Sequence, residues 1–250
     1  VAEDNELNQE IIQEELEDMG ISHIHTVKDG QQAVDATLHG DYDLILMDMQ
    51  MPELDGLQAT RQIIHKLGEK RPFIFALTAN AMPEDKKQCF DAGMDDFLPK
   101  PFRTDELKHL LINHDLKTNQ ISEENSPTIN EEERKSTNVL ELHKLRQSFS
   151  DNDRLMYKVL QKFHQQAPDL LKEIEQALKN EESERLELKA HSLKGNLRYF
   201  QHQELIDLAF KLEQAGKQSD FKEGKKSLEQ LKEQIAPFLQ DIEREIKKVS

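Results

Sequence analysis

Between Leu7 and Leu111 the chain alternates short, continuous apolar runs with stretches of helical period, and that alternation leaves few folds open. Leu44-Ile45-Leu46-Met47 is an apolar run of strand length that stops on Asp48. Phe73-Ile74-Phe75-Ala76-Leu77 stops on Thr78, and the short run from Asp96 to Pro99 stops at Lys100. Ile21 to Val27 alternates like a further strand, and Val1-Ala2 is a stub before Glu3 and Asp4. Helical spacing fills the gaps. Leu7, Ile11, Ile12, Leu16 and Met19 are stopped by Gly20, and Ala33, Val34, Thr37 and Leu38 follow the Asp29-Gly30 turn. A third helix runs from about Leu57 to Leu67, Pro83 opens a fourth that Gly93 closes, and Leu107, Leu110 and Leu111 mark a last one. Short buried strands alternating with helices predict a doubly wound, five-stranded parallel α/β sheet with helices on both faces.

In such a sheet, ligands and chemistry sit just past the carboxyl ends of the strands. Glu3, Asp4, Asp48, Thr78 and Lys100 all fall at predicted strand ends. Three carboxylates brought together repel one another unless a cation neutralises them or their pKa values rise. An all-oxygen site of this kind suits Mg²⁺, which takes one or two carboxylates, several waters and a phosphate oxygen. Lys100 can hold a phosphoryl oxygen as a point charge, Thr78 can donate to another, and Asp48 is then a nucleophile able to form an acyl phosphate. The plainer alternative is a structural ion pair between Lys100 and one acid.

Residues 118–137 have low hydrophobicity and many charges and read as a flexible acidic linker, about 20 residues spanning roughly 25 Å. From 138 to 250 only helical periods appear. A short helix carries Leu140, Leu142, Leu145 and Phe149, and a long one runs from Leu155 to Leu178 through Pro168. Others carry Leu186 to Leu197, Leu205 to Leu212 (ended near Gly216) and Leu228 to Ile246. Apolar stripes on short connections predict an antiparallel helical bundle. Within it, Ala190-His191-Ser192-Leu193-Lys194-Gly195 puts His191 and Lys194 on one helix face. A solvent-exposed imidazole can accept and return a phosphoryl group beside a cation; an ordinary surface histidine fits the position as well. Gly195 costs about 1 kcal/mol against Ala inside a helix, which asks for a close approach to the ring or to a docking partner.

A formal net charge of -16 argues against nucleic acid or an anionic membrane as partner. Cys89 is the single cysteine, which suits a reducing compartment such as the cytoplasm. No apolar run approaches the roughly 18 residues that span a bilayer, and no Gly-rich phosphate loop or kinase nucleotide-binding motif is present, so this stretch is not expected to bind ATP.

Residues 1–117 resemble a response-regulator receiver domain. The matching pieces are Glu3-Asp4-Asn5, the Leu46-Met47-Asp48-Met49-Gln50-Met51-Pro52 stretch through Gly56, Ala76-Leu77-Thr78-Ala79-Asn80-Ala81, and Lys100-Pro101. The resemblance implies the strand order 2-1-3-4-5, Asp48 as phosphoacceptor, and Mg²⁺ on Glu3, Asp4, Asp48 and the backbone carbonyl of Gln50. It further implies that Thr78 and Lys100 contact the phosphoryl group, and puts Phe97 at the aromatic switch position. The family has a longer apolar strand before its acid pair, so the natural protein is expected to continue upstream of Val1; if Val1 were a true terminus, the domain should be marginally stable. Residues 138–250 resemble a histidine-containing phosphotransfer domain through His191, Lys194 and Gly195 and the ungapped Leu205 to Glu213 that follows. The bulk of Asn196, Leu197, Arg198, Tyr199 and Phe200 departs from the family's small residues, and Arg198 is expected to be solvated.

Together these resemblances imply the C-terminal part of a hybrid sensor histidine kinase, in which phosphate passes from a kinase histidine to Asp48, to His191, and on to a separate response-regulator receiver. The upstream partner is then a kinase core in the same polypeptide, and the location the cytoplasm, including the cytoplasmic side of a membrane-anchored kinase. The rival reading is a non-catalytic docking scaffold whose receiver works without phosphate.

Overall fold

A computed structural model describes residues 1–78, 83–100, 102, 104–114, 116, 145, 149 and 152–248, the side chains of Pro83 and Thr104 aside. The first half carries α1 (Glu6–Asp18), α2 (Gly30–His39), β1 (Leu44–Asp48), α3 (Gly56–Leu67), β2 (Phe73–Thr78), α4 (Pro83–Ala92), β3 (Asp96–Pro99) and α5 (Thr104–Asn113). The ladder is parallel, in the order β1-β2-β3, with Asp48 opposite Leu77 and Thr78 opposite Pro99. Ala2 extends it by a single parallel bridge to Met47 and another to Val27. The neighbours thus follow the order expected, but among the described residues only three segments are ladder strands, not five. The segment ending at Val27 pairs with Val1 to Glu3 through the bonds from Val1 N to His25 O, from Val27 N to Val1 O and from Glu3 N to Val27 O.

Strand alternation sorts the core into two layers. Ile45, Met47, Ile74 and Ala76 pack with Ala33, Val34, Ala59 and Ile63 of α2 and α3. Leu46, Phe75 and Leu77 point the other way, onto Ile12 and Leu16 of α1, Met19 just after it, and Leu107 and Leu111 of α5. Gly56 is required by the turn after β1, because a Cβ there would lie 2.0 Å from the Asp48 carbonyl oxygen.

The second half is an antiparallel bundle of α6 (Asp153–Asn180), α7 (Ser183–Arg198), α8 (Gln203–Gln218) and α9 (Phe221–Lys247). α6 continues through Pro168 and α9 through Pro237. The third of these ends near Gly216, as expected, at Gln218, and the glycine also lies where a Cβ would meet the Glu187 backbone N at 2.6 Å, where α7 and α8 cross. Of the short helix expected before Asp151 only Leu145 and Phe149 are described, both buried. The linker of 118–137 lies outside the described residues.

The two halves dock. Leu7 and Ile11, on the face of α1 turned away from the sheet, are 1% and 3% exposed and belong to the apolar cluster of the bundle, with Phe149, Met156, Leu160 and Tyr199. α1 is therefore buried on two sides.

Candidate phosphotransfer site

At the carboxyl end of the sheet, Lys100 Nζ lies 2.8 Å from Asp48 Oδ2 and 2.8 Å from Glu3 Oε2. Lys100 is held there by its backbone N–H, which donates to Thr78 O at 2.7 Å. Glu3 Oε1 accepts from Asn8 Nδ2 at 2.8 Å, and Asp48 Oδ1 accepts from the Gln50 N–H at 3.3 Å. Asp48 is 2% exposed. Burial pushes its carboxyl up, Lys100 opposing and Glu3 adding to the rise, to about 8. Burial and then the Glu3 charge raise Asp4 to about 6. Lys100 stays charged: the cost of burying it is outweighed by Asp48 and Glu3, which raise its pKa. Glu3, Asp4 and Asp48 each offer a carboxylate oxygen within 4.8 Å of the others. Three acids against one lysine is the donor set of a hard divalent cation, and the residues present fit Mg²⁺. Phe97 packs edge-on against Phe90, with Lys86 Nζ 4.3 Å from its ring centroid. Ala79, Asn80 and Pro101 lie outside the described residues.

Across the domain boundary, α7 carries His191. Its Nδ1 lies 3.0 Å from Glu213 Oε1 on α8, and Lys194 Nζ bonds Glu213 Oε2. Burial raises the Glu213 carboxyl, but hydrogen bonds from His191 and the Lys194 charge outweigh it and leave it at about 2. An ionised Glu213 accepts, so His191 Nδ1 carries the proton and Nε2 keeps the lone pair. Burial lowers the pKa of His191 and keeps the imidazole neutral.

The expectation of a solvent-exposed imidazole is overturned, since His191 is 7% exposed. It faces the receiver across two cavities. One cleft of about 490 Å³ is lined by Asp48, Gln50 and Thr78 on one side and by His191, Lys194 and Lys217 on the other. A second, small cavity brings Glu3, Asp4 and Lys100 together with His191 and Arg198. Arg198 is half-buried on that cavity, not solvated as expected. Lys194 is buried on Glu213 and is not an open point charge. Glu213 was quoted in the sequence only as the end of the Leu205 to Glu213 match and given no role, yet it left a signal: a carboxylate one turn after Ala209 on the apolar stripe of α8, where only a satisfied charge can sit. Asn5 entered the sequence reading only as part of the Glu3-Asp4-Asn5 match, with no contact to the bundle expected of it, and Lys217 carried no signal.

Residues 1–112 match the family described as response regulator receiver domain, and residues 158–245 match the Hpt domain. The chain is a receiver domain followed by an Hpt domain. Such a pairing is the machinery of phosphorelay signalling. The signal transduction histidine-protein kinase BarA of Shigella flexneri is 34% identical over 199 residues, 79% of this chain and 21% of that protein. The osmosensing histidine protein kinase SLN1 of Saccharomyces cerevisiae is 43% identical over 116 residues, 44% of this chain and 9% of that protein. The chain thus spans about a fifth of BarA. Among solved structures, the receiver domain of sensor histidine kinase PA1611 from Pseudomonas aeruginosa PAO1, with a magnesium ion coordinated in its active-site cleft, is 44% identical, covers 45% of this chain and 91% of its own, and has a TM-score of 0.42. No described helix of the chain is long and apolar enough to cross a membrane.

Proposed function

We propose that Asp48 of the receiver (1–117) and His191 of the Hpt bundle (138–250) are successive phosphoryl carriers, and that the group passes between them within one chain. The observation that carries this is the shared cleft with Asp48 and His191 in its opposite walls. His191 Nε2 attacks the phosphorus of the acyl phosphate on Asp48; an N–P bond forms, the P–O bond to Asp48 breaks, and the carboxylate leaves. The ring gains positive charge as it bonds, and the Glu213 carboxylate on Nδ1 stabilises that charge. Lys100 takes the released Asp48 carboxylate, Thr78 and Lys100 hold phosphoryl oxygens, and Lys194 and Lys217 line the receiving side. Glu3, Asp4, Asp48 and the Gln50 carbonyl would hold Mg²⁺, which when bound neutralises charge on the phosphoryl oxygens. The upstream donor is a kinase phosphohistidine, carried by a kinase core of the same polypeptide on the cytoplasmic side, and the acceptor after His191 is a separate response-regulator receiver.

The test mixes Mg²⁺ and a phosphorylated histidine donor with the wild type, Asp48→Asn and His191→Gln. The wild type should carry both base-labile and acid-labile label, His191→Gln the acyl phosphate alone, and Asp48→Asn neither. Wild-type labelling of both variants overturns the assignment.

A further inference from the structure

His191 lines both cavities at the boundary, and they offer it different company. The large cleft brings Lys194 and Lys217. The small one brings Lys100 and Asp4 of the receiver and Arg198 of its own helix. Arg198 is a half-buried cation to which the phosphotransfer reading gives no part. Its place on α7 points at the imidazole. It follows His191 by two helical turns and so stands on the same face. Helical side chains lean toward the N-terminus, which tilts Arg198 back toward the ring. Gly195 lies between them on that face and, having no side chain, leaves the space open; all three line the small cavity. Burial works against the Arg198 charge, and Glu213 supports it, the same acid that bonds His191 and Lys194. A guanidinium carries five N–H donors in a planar fork, so it can turn donors to a phosphoryl oxygen while keeping another partner. The cavity holds about 10 Å³, room for one water-sized atom. One phosphoryl oxygen fits that space, and the whole group does not.

Resting on the phosphotransfer reading above, we propose that Arg198 is a further catalytic residue of the receiving side, its guanidinium binding the phosphoryl oxygen that enters the small cavity as the group bonds to His191 Nε2. The other two oxygens stay in the large cleft with Lys194 and Lys217. The contact is made with the phosphohistidine and not with the acyl phosphate, so it draws the group toward His191 by its own worth. Arg198 also closes the last turn of α7, where any cation suits the helix dipole. That role asks for charge alone and lysine would fill it. Holding an oxygen in the fork asks for the guanidinium.

The test compares the full chain with Arg198→Gln and Arg198→Lys. The first readout is the equilibrium ratio of acid-labile to base-labile label with Mg²⁺ and the phosphorylated histidine donor. The second is the pH titration of the phosphohistidine by phosphorus NMR, with phosphoramidate loading His191 directly in an Asp48→Asn background. Urea unfolding is the control for structure. Arg198→Gln should lower the ratio about tenfold, the effect of one charge-assisted hydrogen bond, and raise the pH at which the phosphoryl group titrates by about one unit. Arg198→Lys should unfold like the wild type yet leave the ratio about threefold low. Variants that move the unfolding curve but keep the wild-type ratio and titration make Arg198 a helix-end charge and overturn the inference. Should Arg198→Gln not fold, the lysine variant decides, and a wild-type ratio in it is equally fatal. If no label passes from Asp48 to His191 while phosphoramidate-loaded His191 still titrates according to residue 198, the phosphotransfer reading fails and the Arg198 contact stands.

Discussion

The two sides of the cleft are the same device with the charges exchanged. In the receiver, one lysine is shared by two buried acids, with a third acid beside them. In the Hpt bundle, one buried acid is shared by His191 and Lys194, with Lys217 Nζ a further 3.5 Å from its Oε1. The first site has an excess of negative charge and needs an added cation before it can hold a phosphoryl dianion. The second carries its cations in covalent form. On the proposed reading, a phosphoryl group moving from the first to the second leaves a site that Mg²⁺ would complete for one that supplies its own cations, and the Hpt carrier is expected to hold it without Mg²⁺.

Removing the single acid should therefore do more harm than any other change in the bundle. Glu213→Leu leaves Lys194, 3% exposed, without a counter-charge, and the expected loss of stability is about 3–5 kcal/mol, read by urea unfolding. The same group sets a pH dependence. The Glu213 carboxyl is held at about 2 in the folded protein, below its ordinary value near 4.3. The unfolded chain binds more protons in that interval, so the contribution is complete above about pH 4.3 and disappears as the pH falls toward 2. In the Glu213→Leu variant, the acid limb of the stability profile should flatten. A variant as stable as wild type would mean that the two sites are not counterparts.

Magnesium sharpens the contrast from the other side. At a hundredfold excess over its dissociation constant, Mg²⁺ should stabilise the receiver by about 2.7 kcal/mol, measured by thermal unfolding, and Asp4→Asn should cancel most of that gain. An Hpt bundle cut free of the receiver should not respond. A bundle that shifts as much as the receiver would remove the asymmetry on which the comparison rests.

How much of this could be read before the structure depends on the range of the forces involved. β1, β2 and β3 were legible because each is a continuous apolar run ending on a chemically distinct residue, and the convergence of Asp48, Thr78 and Lys100 follows from parallel topology alone. The burial of His191 was not legible. His191 bonds Glu213 of α8 and faces cavities shared with the receiver, which docks through Leu7, Ile11 and Asn5. Sequence periodicity records which face of α1 is apolar but not that the helix has two such faces with different partners. Gly216 was legible only in part: it stands two residues before the end of α8, as its place in the sequence suggests, but its close approach to the Glu187 backbone of α7 leaves no trace in sequence.

α1 holds the next test. Glu15 is 5% exposed, its Oε2 has no hydrogen-bond partner, and burial, with Asp18, Glu106 and Asp105 adding like charge, raises its carboxyl to about 8. The folded state thus binds more protons than the unfolded state between about pH 4.3 and 8, so this group makes stability fall as the pH rises through that window. Glu15→Gln keeps the shape and removes the charge. At pH 8 it should stabilise the chain by about 2 kcal/mol, and at pH 5 the gain should be near zero. A gain that does not grow with pH would show that Glu15 is not the titrating group.

The smallest effect concerns Gly195, whose place inside α7 asks for a reason. A Cβ there would meet only Asn8 Nδ2, at 3.8 Å, which is ordinary van der Waals contact. The receiver is thus the neighbour, yet it leaves room for a methyl group. Gly195→Ala should raise the stability of the bundle by up to about 1 kcal/mol through helix propensity, with transfer from Asp48 to His191 unchanged. Gly195→Leu gains similar propensity but drives a branched side chain into Asn8, whose Nδ2 holds Glu3 Oε1 at 2.8 Å. Its expected signature is a bundle as stable as the alanine variant, a molecule extended in scattering, and slowed transfer. If alanine already undocks the domains, the boundary is tighter than 3.8 Å implies; if leucine leaves them docked, Asn8 is not the surface that α7 meets.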